Sequence, residues 1–369
     1  MDINSFVIGY TKGKASGGGS MEGFHMVRFF NDDNTLLYTV FVPHGASVIY
    51  AGETPVSTEG LDVFRGFEPS PANVTEDMDC YAVYEAVGTL DETSWAMISQ
   101  LSASGEAQNY FALGDTKMIH IEGMVGTLEV NGDYGVYIIG FDHDEEVEGK
   151  GITFGTFRKP NGLDIALCDS GHDSAYTQGL KYFNLNHWGK QSHGGWAGSD
   201  LRYDVLGSTD IEPSGYGAAK TESVVGYDAT ETCATNPVPD TLMAALPSDL
   251  RAVMKPMTKY TDTKGYQGNA ETVKASIDYL PLLAECEIFG KRLWGSTDEV
   301  SMQKQYQYFK DGAPTVKSMH SNSGFYGVRW WERSGYTMST GVGCAVKADG
   351  TGNYSYVHYS LGIAPIFKV

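Results

Sequence analysis

The densest run of titratable side chains is Asp142-His143-Asp144-Glu145-Glu146. Such a run could collect a hard cation, because calcium and magnesium take clustered carboxylates. Neighbouring acids on a strand point to opposite faces, however, so the run reads as a solvated turn. His187-Trp188 and His193 could supply a general base. They stand in a Gly-rich stretch and read as packing or surface residues. The five cysteines, at 80, 168, 233, 286 and 344, show no CxxC and no zinc-ligand spacing. An odd, scattered set points to reduced, buried thiols rather than a disulfide framework. The 46 acids could hide the carboxylate pair of a glycosidase, but no motif nominates one. Lys12-Gly13-Lys14 and Gly17-Gly18-Gly19-Ser20 lack the GxxxxGK[ST] pattern of a phosphate loop and read as a flexible connector. The expectation is a non-enzyme with no catalytic residue, no metal and no cofactor.

The stronger signal is one of recognition. Phe325 to Ser360 carries five tyrosines and six glycines against five charged residues. Tyrosine gives contact area at low rotamer cost, while Gly, Ser, Thr and Asn let loops adapt and hydrogen-bond. Two fixed-looking frames bracket most of this stretch, Trp330-Trp331-Glu332-Arg333-Ser334 and Gly362-Ile363-Ala364-Pro365-Ile366-Phe367-Lys368-Val369. The tryptophans are expected to fill the core, and Glu332 with Arg333 to form an ion pair that pins the frame.

The elements that must carry this stretch are mostly strands. In 369 residues, 45 glycines and 23 tyrosines favour short strands, tight turns and large loops. The length suggests two or three domains. Net charge of −20 disfavours nucleic acid and anionic membrane surfaces as partners. Met1-Asp2-Ile3-Asn4 opens no signal-peptide pattern and no run of 18 apolar residues occurs, so membrane insertion is not expected.

Residues 1–23 read as an attachment segment. Alternation at His25–Phe30 and Leu36–Val42, separated by Asn31-Asp32-Asp33-Asn34, predicts a hairpin, and Cys80–Tyr84 a further strand. Beyond residue 88 a helix is expected from Glu92 to Leu101 with Asp91 as its cap. Strands are expected at Lys117–Ile121 and Gly135–Phe141, with Gly132-Asp133 turning between them. Ser199 is expected to cap a helix reaching Leu206. Asp240 to Met254 reads as two helical pieces with Pro247 opening the second. Residues 207–239 and 258–272 read as surface loops.

Residues 24–87, with Phe64-Arg65-Gly66-Phe67, Asn73-Val74-Thr75 and Tyr81-Ala82-Val83-Tyr84, look like the small β-grasp repeat of bacterial surface adhesins. Phe67 stands where that repeat usually has Trp. In the larger part, six signals together resemble a domain family common in gut-bacteriophage structural proteins. They are Gly114–Lys117, Ile139–Asp144, Trp196–Arg202, Leu280–Glu285, Trp330–Ser334 and Gly362–Pro365. The end of that family is similar to the C-type-lectin-like fold, shared with formylglycine-generating enzymes and with the variable proteins of diversity-generating retroelements. Gly335 and Ala364 replace the usual Pro and Arg.

The resemblance implies an α+β chain: a β-grasp module (24–87), then a C-type-lectin-like ligand-binding domain (88–369) with long loops and an insertion, variable over about 320–362. It implies a ligand-binding face at Tyr326, Arg329, Tyr336, Thr337, Met338, Thr340, Val342, Asn353, Tyr354, Tyr356, His358 and Tyr359, open to codon-level diversification. The EPN, QPD and WND tripeptides of calcium-dependent sugar-binding lectins are absent, and Cys344 alone stands where formylglycine-generating relatives use a cysteine pair. The expected function is a phage-tail receptor-binding protein of the virion, made in the bacterial host cytoplasm. Its partners would be a host-surface protein or glycan and, through the N-terminus, other tail proteins. Twelve side chains fall short of the roughly 800 Å² per partner of a standard interface, so several copies, as in a trimer, would share the attachment. The competing classes are a glycan depolymerase of a tail structure and a purely architectural virion component.

Overall fold

Asn31-Asp32-Asp33-Asn34 turns the chain between β1 (Phe24–Phe30) and β2 (Leu36–Pro43). Asn34 takes a φ of 65°, and the Asp33 carboxylate accepts the Thr35 N–H at 2.8 Å. The computed structural model describes residues 23–58, 62–174, 181–186, 195–209, 232–263 and 270–369. The fold is mixed α+β and mostly sheet. It divides into two compact units, Met1–Val87 and Gly88–Val369. The attachment segment expected at 1–23 lies almost wholly outside the described residues, as do His187, Trp188 and His193.

In the first unit, β3 (Asp62–Glu68) and β4 (Met78–Ala86) complete a four-stranded sheet of order β2-β1-β4-β3. The central pair β1 and β4 is parallel and the outer pairs are antiparallel. One face is apolar: Val27, Phe29, Val42, Val74 and Cys80 are buried together. Phe67 meets Phe29 edge-on with ring centres 4.7 Å apart, a favourable geometry for two quadrupolar rings.

The second unit is organised around a sheet of order β16-β7-β6-β5, formed by β5 (Thr116–Val125), β6 (Leu128–Phe141), β7 (Ile152–Arg158) and β16 (Ile366–Lys368). The end of the chain is therefore a core strand. Trp95 of helix α1 (Trp95–Ser104) packs on Phe154 of β7 and Phe367 of β16, whose rings stack 5.1 Å apart. Residues 152–157 are buried at every position, so β7 lacks the alternation of a half-exposed strand.

Several local expectations are corrected. Helix α1 starts three residues later than expected, with Ser94 as cap accepting the Met97 N–H at 3.2 Å. Asp91 instead accepts the Met118 N–H, and Glu92 binds Thr89. Gly132 and Asp133 lie inside β6, opposite Ile121 and His120; the turn falls at Gly126-Thr127. Ser199 donates to the Leu185 carbonyl rather than capping, and Leu201–Val205 forms a π-type turn. Two short helices, Leu242–Ala245 and Ser248–Arg251, fill the stretch read as two helical pieces, with Pro247 at the cap position of the second rather than in its first turn. Within the stretch read as loop at 258–272, β9 (Met257–Asp262) pairs with β10 (Val273–Asp278). All five cysteines are buried, and none forms a disulfide. Among the described residues, no helix is long and apolar enough to cross a membrane.

Candidate ligand-binding face and the buried ionic layer beneath it

Two small sheets complete the second unit. One has the order β12-β11-β8, from β8 (Ile165–Ala166), β11 (Lys317–Met319) and β12 (Gly327–Val328). The other is β13 (Trp330–Gly335), β14 (Val342–Val346) and β15 (Gly352–Tyr356), with β14 in the middle. Every residue of β13 and β14 is buried. Trp330 donates its indole N–H to the Thr315 carbonyl at 3.1 Å, and Trp331 to that of Phe183 at 2.8 Å. Both therefore fill the core with their polar ends satisfied.

The two frames are joined directly. Trp331 N–H donates to Gly362 O and Gly362 N–H to Arg329 O, both at 2.9 Å. Trp330, Ala364 and Ile366 share one apolar core with Tyr137 and Ile139 of β6. Gly362 is required by this close approach: a Cβ there would lie 2.8 Å from Ala166 Cβ and 3.1 Å from Arg329 O. Gly362→Ala is expected to destabilise by about 1–3 kcal/mol through overpacking. A lowered urea midpoint with unchanged slope would register this.

Between the frames the chain comes to the surface. In β15 the buried Ser355 alternates with Tyr354 and Tyr356, which are 39% and 54% exposed. These two side chains share a face about 7 Å apart along the strand. Tyr354 contacts Tyr336 (4.6 Å between ring centres) and Trp294 (5.0 Å). Tyr336 donates to the sulfur of Met338, which is 69% exposed. The Thr337 hydroxyl donates to Trp294 O at 3.2 Å and accepts from Arg292, tying the two loops together. A second cluster joins Tyr356, His358 and Tyr359 at 5.3–5.5 Å. Partial burial lowers the pKa of His358, which favours a neutral ring at pH 7. The segment is anchored from behind by Val357 N–H to Gly341 O and by Ser360 Oγ to Asp169.

The twelve positions expected to form the face thus divide. Tyr336, Thr337, Met338 and Tyr354 come together, as do Tyr356, His358 and Tyr359. Asn353 and Thr340 are half-buried. Tyr326 is exposed beside β12 and takes no part in either ring cluster, while Arg329 is paired with Asp173 at 2.6 Å. Val342 departs from the expectation: it sits in the central strand opposite Tyr356, only 8% exposed. Trp294, 36% exposed, belongs to the first cluster but lies far upstream in sequence. A tryptophan in Leu293-Trp294-Gly295-Ser296 was the only local signal.

Beneath the face lies a layer of buried charge. Lys259 is 2.7 Å from Asp144, 3.3 Å from Glu287 and 3.2 Å from the Tyr306 hydroxyl. His143 stacks on Tyr306 at 3.7 Å. The 142–146 run is a turn that is solvated only in part, with Glu145 and Glu146 exposed and residues 142–144 half-buried. Its Asp144 faces a lysine ammonium, which occupies the cationic position among His143, Asp144 and Glu287. Arg333 bonds Glu287 rather than the adjacent Glu332, and donates to Leu282 O at 2.7 Å. This corrects the expected Glu332–Arg333 pair. Burial pushes the Glu287 carboxyl up, but Arg333 and Lys259 outweigh it and hold the group down at about 2. Burial pushes Glu299 up to about 7 against hydrogen bonds from Ser334 and the Asp262 N–H.

The arrangement offers rigid aromatic contact area on a fixed sheet, together with an ion-paired interior in which Asp144, Lys259 and Glu287 line a small cavity. No family model, no curated protein and no solved structure matches this chain.

Proposed function

We propose that this chain is a virion receptor-binding protein of a phage tail, whose C-terminal face grips a host-surface protein or glycan. The observation that carries the reading is the contrast between frames and face. Trp330–Gly335 and Leu361–Val369 are buried throughout, while Met338, Tyr354 and Tyr356 between them are exposed. Aromatic side chains with few rotatable bonds, set on a rigid sheet, bind at low entropic cost. A C-type-lectin-like reading of the second unit draws support from its C-terminal strand in the core sheet and the separate β13-β14-β15 sheet. A β-grasp reading of the first unit draws support from its parallel central pair.

The clusters are small, so attachment would rest on several copies engaging one cell, a trimer at a tail tip being the economical form. The reading is tested by displaying the full chain in many copies on fluorescent beads and offering these to a panel of bacterial strains. Saturable adhesion to a subset of strains, competed by free protein, is expected. Beads carrying folded protein that adhere to no strain, or to all alike, contradict it.

A further inference from the structure

Glu332, on β13, is fully buried, and neither of its carboxylate oxygens has a hydrogen-bond partner. An uncompensated carboxylate in a dry interior is strongly unfavourable, so something must neutralise it. Its acidic neighbours in the buried layer are compensated: Glu287 by Arg333 and Lys259, Glu299 by Ser334 and the Asp262 N–H. No such partner reaches Glu332. Arg333 turns to Glu287, and Arg292 donates to Gly295 O.

What does surround Glu332 is more ligand. Glu285, also buried, accepts three backbone N–H groups, from Leu293 (2.7 Å), Trp294 (2.7 Å) and Gly295 (2.9 Å). Cys344 of β14 is buried and free. One carboxylate oxygen from each glutamate and the Cys344 sulfur lie within 4.8 Å of one another. The three come from a short helix and two strands, so the fold rather than local sequence assembles them. Gly295 keeps the space open: a Cβ there would stand 3.2 Å from Glu285 Oε2 and 3.8 Å from Cys344 Sγ.

We propose that Glu285, Glu332 and Cys344 form a structural metal site for a zinc-class divalent ion. A thiolate with two carboxylates suits zinc or cobalt(II), whereas magnesium and calcium prefer all-oxygen shells. Zinc bonds are about 2.3 Å to sulfur and 2.0–2.2 Å to oxygen, so on binding the three ligand atoms draw in from separations of up to 4.8 Å. Binding displaces the thiol proton and any proton held by Glu332. The cation then supplies the charge that Glu332 lacks. Because all three ligands are buried, the ion enters as the chain folds.

The position gives the ion a job. Glu285 holds the backbone of Leu293, Trp294 and Gly295, and Tyr354 stands opposite Cys344 in the β14–β15 ladder. An ion there fixes the Trp294 loop and β14 to one another, directly under the Trp294–Tyr336–Tyr354 cluster. The inference does not depend on what that cluster binds.

The competing account is a protonated Glu332. Two experiments separate them. Untagged full-length protein, refolded with zinc and exhaustively dialysed, is expected to retain about one zinc per chain by elemental analysis, because all three ligands are buried. Refolding with cobalt(II) is expected to give near-ultraviolet thiolate-to-metal absorption that disappears in Cys344→Ser. Glu332→Gln decides the matter if Cys344→Ser fails to fold, because Gln closely mimics a neutral carboxyl. The metal account expects E332Q to lose the zinc and to melt below the zinc-loaded wild type. Folded wild type without stoichiometric metal after zinc refolding would overturn the proposal. So would an E332Q protein at least as stable as the zinc-treated wild type.

Discussion

Replacing Glu287 with Ala is expected to remove much of the second unit's stability. The carboxylate lies between Arg333 and Lys259, and all three groups are buried. Removing it strips Arg333 of its carboxylate partner and leaves Lys259 to Asp144, and breaking such a buried pair typically costs about 3–5 kcal/mol. Whole domains are stable by only about 5–15 kcal/mol. Glu287→Gln keeps the shape but not the charge, so it should be nearly as damaging. The pH dependence has a definite sign. The folded carboxyl sits at about 2 against an ordinary 4.5, so its stabilisation is complete above about pH 4.5 and fades as pH falls toward 2. Glu299 acts oppositely: raised to about 7, it lowers stability as pH climbs from 4.5 to 7. Urea unfolding followed by tryptophan fluorescence measures both. A loss below about 1 kcal/mol in Glu287→Ala, the level of an exposed pair, would refute the ionic layer as described.

Tyr354→Ala and Tyr356→Ala together should abolish bead adhesion while leaving the unfolding midpoint nearly unchanged. Each ring presents a large surface on a rigid strand, the type of residue that dominates interfaces. Truncating such an anchor commonly costs 2 kcal/mol or more, about thirty-fold in affinity. With several copies per particle the loss compounds. Trp294→Ala should weaken adhesion too, since it removes the ring against which Tyr354 and Tyr336 pack. Truncation of the buried Val342 should act on stability through a cavity rather than on ligand contact. Full adhesion by the double tyrosine variant would move the binding site elsewhere.

Periodicity made β1, β2 and β4 of the first unit legible, though not β3, because its sheet has one apolar face and a polar turn that announces itself. The same reasoning misplaced Gly132-Asp133, since a long hairpin carries glycine within a strand without turning there. It left β9 unread because a strand of Thr, Lys and Tyr has no apolar run, and its Lys259 is buried through ion pairs that only tertiary structure provides. The frames were visible as sequence, and the tryptophans behave as core. Glu332-Arg333 was misread because adjacent residues on a strand face apart: Arg333 finds Glu287 across the fold, and Glu332 faces Glu285 and Cys344. That cluster has no sequence spacing to betray it. Trp294 escaped for the same reason, reaching the face from a loop that Glu285 holds.

We propose that the receptor-binding face is one that is rewritten between two fixed frames. Deep sequencing of codons 320–369 in the population that carries this gene tests it most directly. The account predicts replacements concentrated at Tyr336, Thr337, Met338, Tyr354, Tyr356, His358 and Tyr359, with Trp330–Ser334 and residues 362–369 constant. Codons that are uniform throughout, or replacements spread evenly over frames and face, would contradict it.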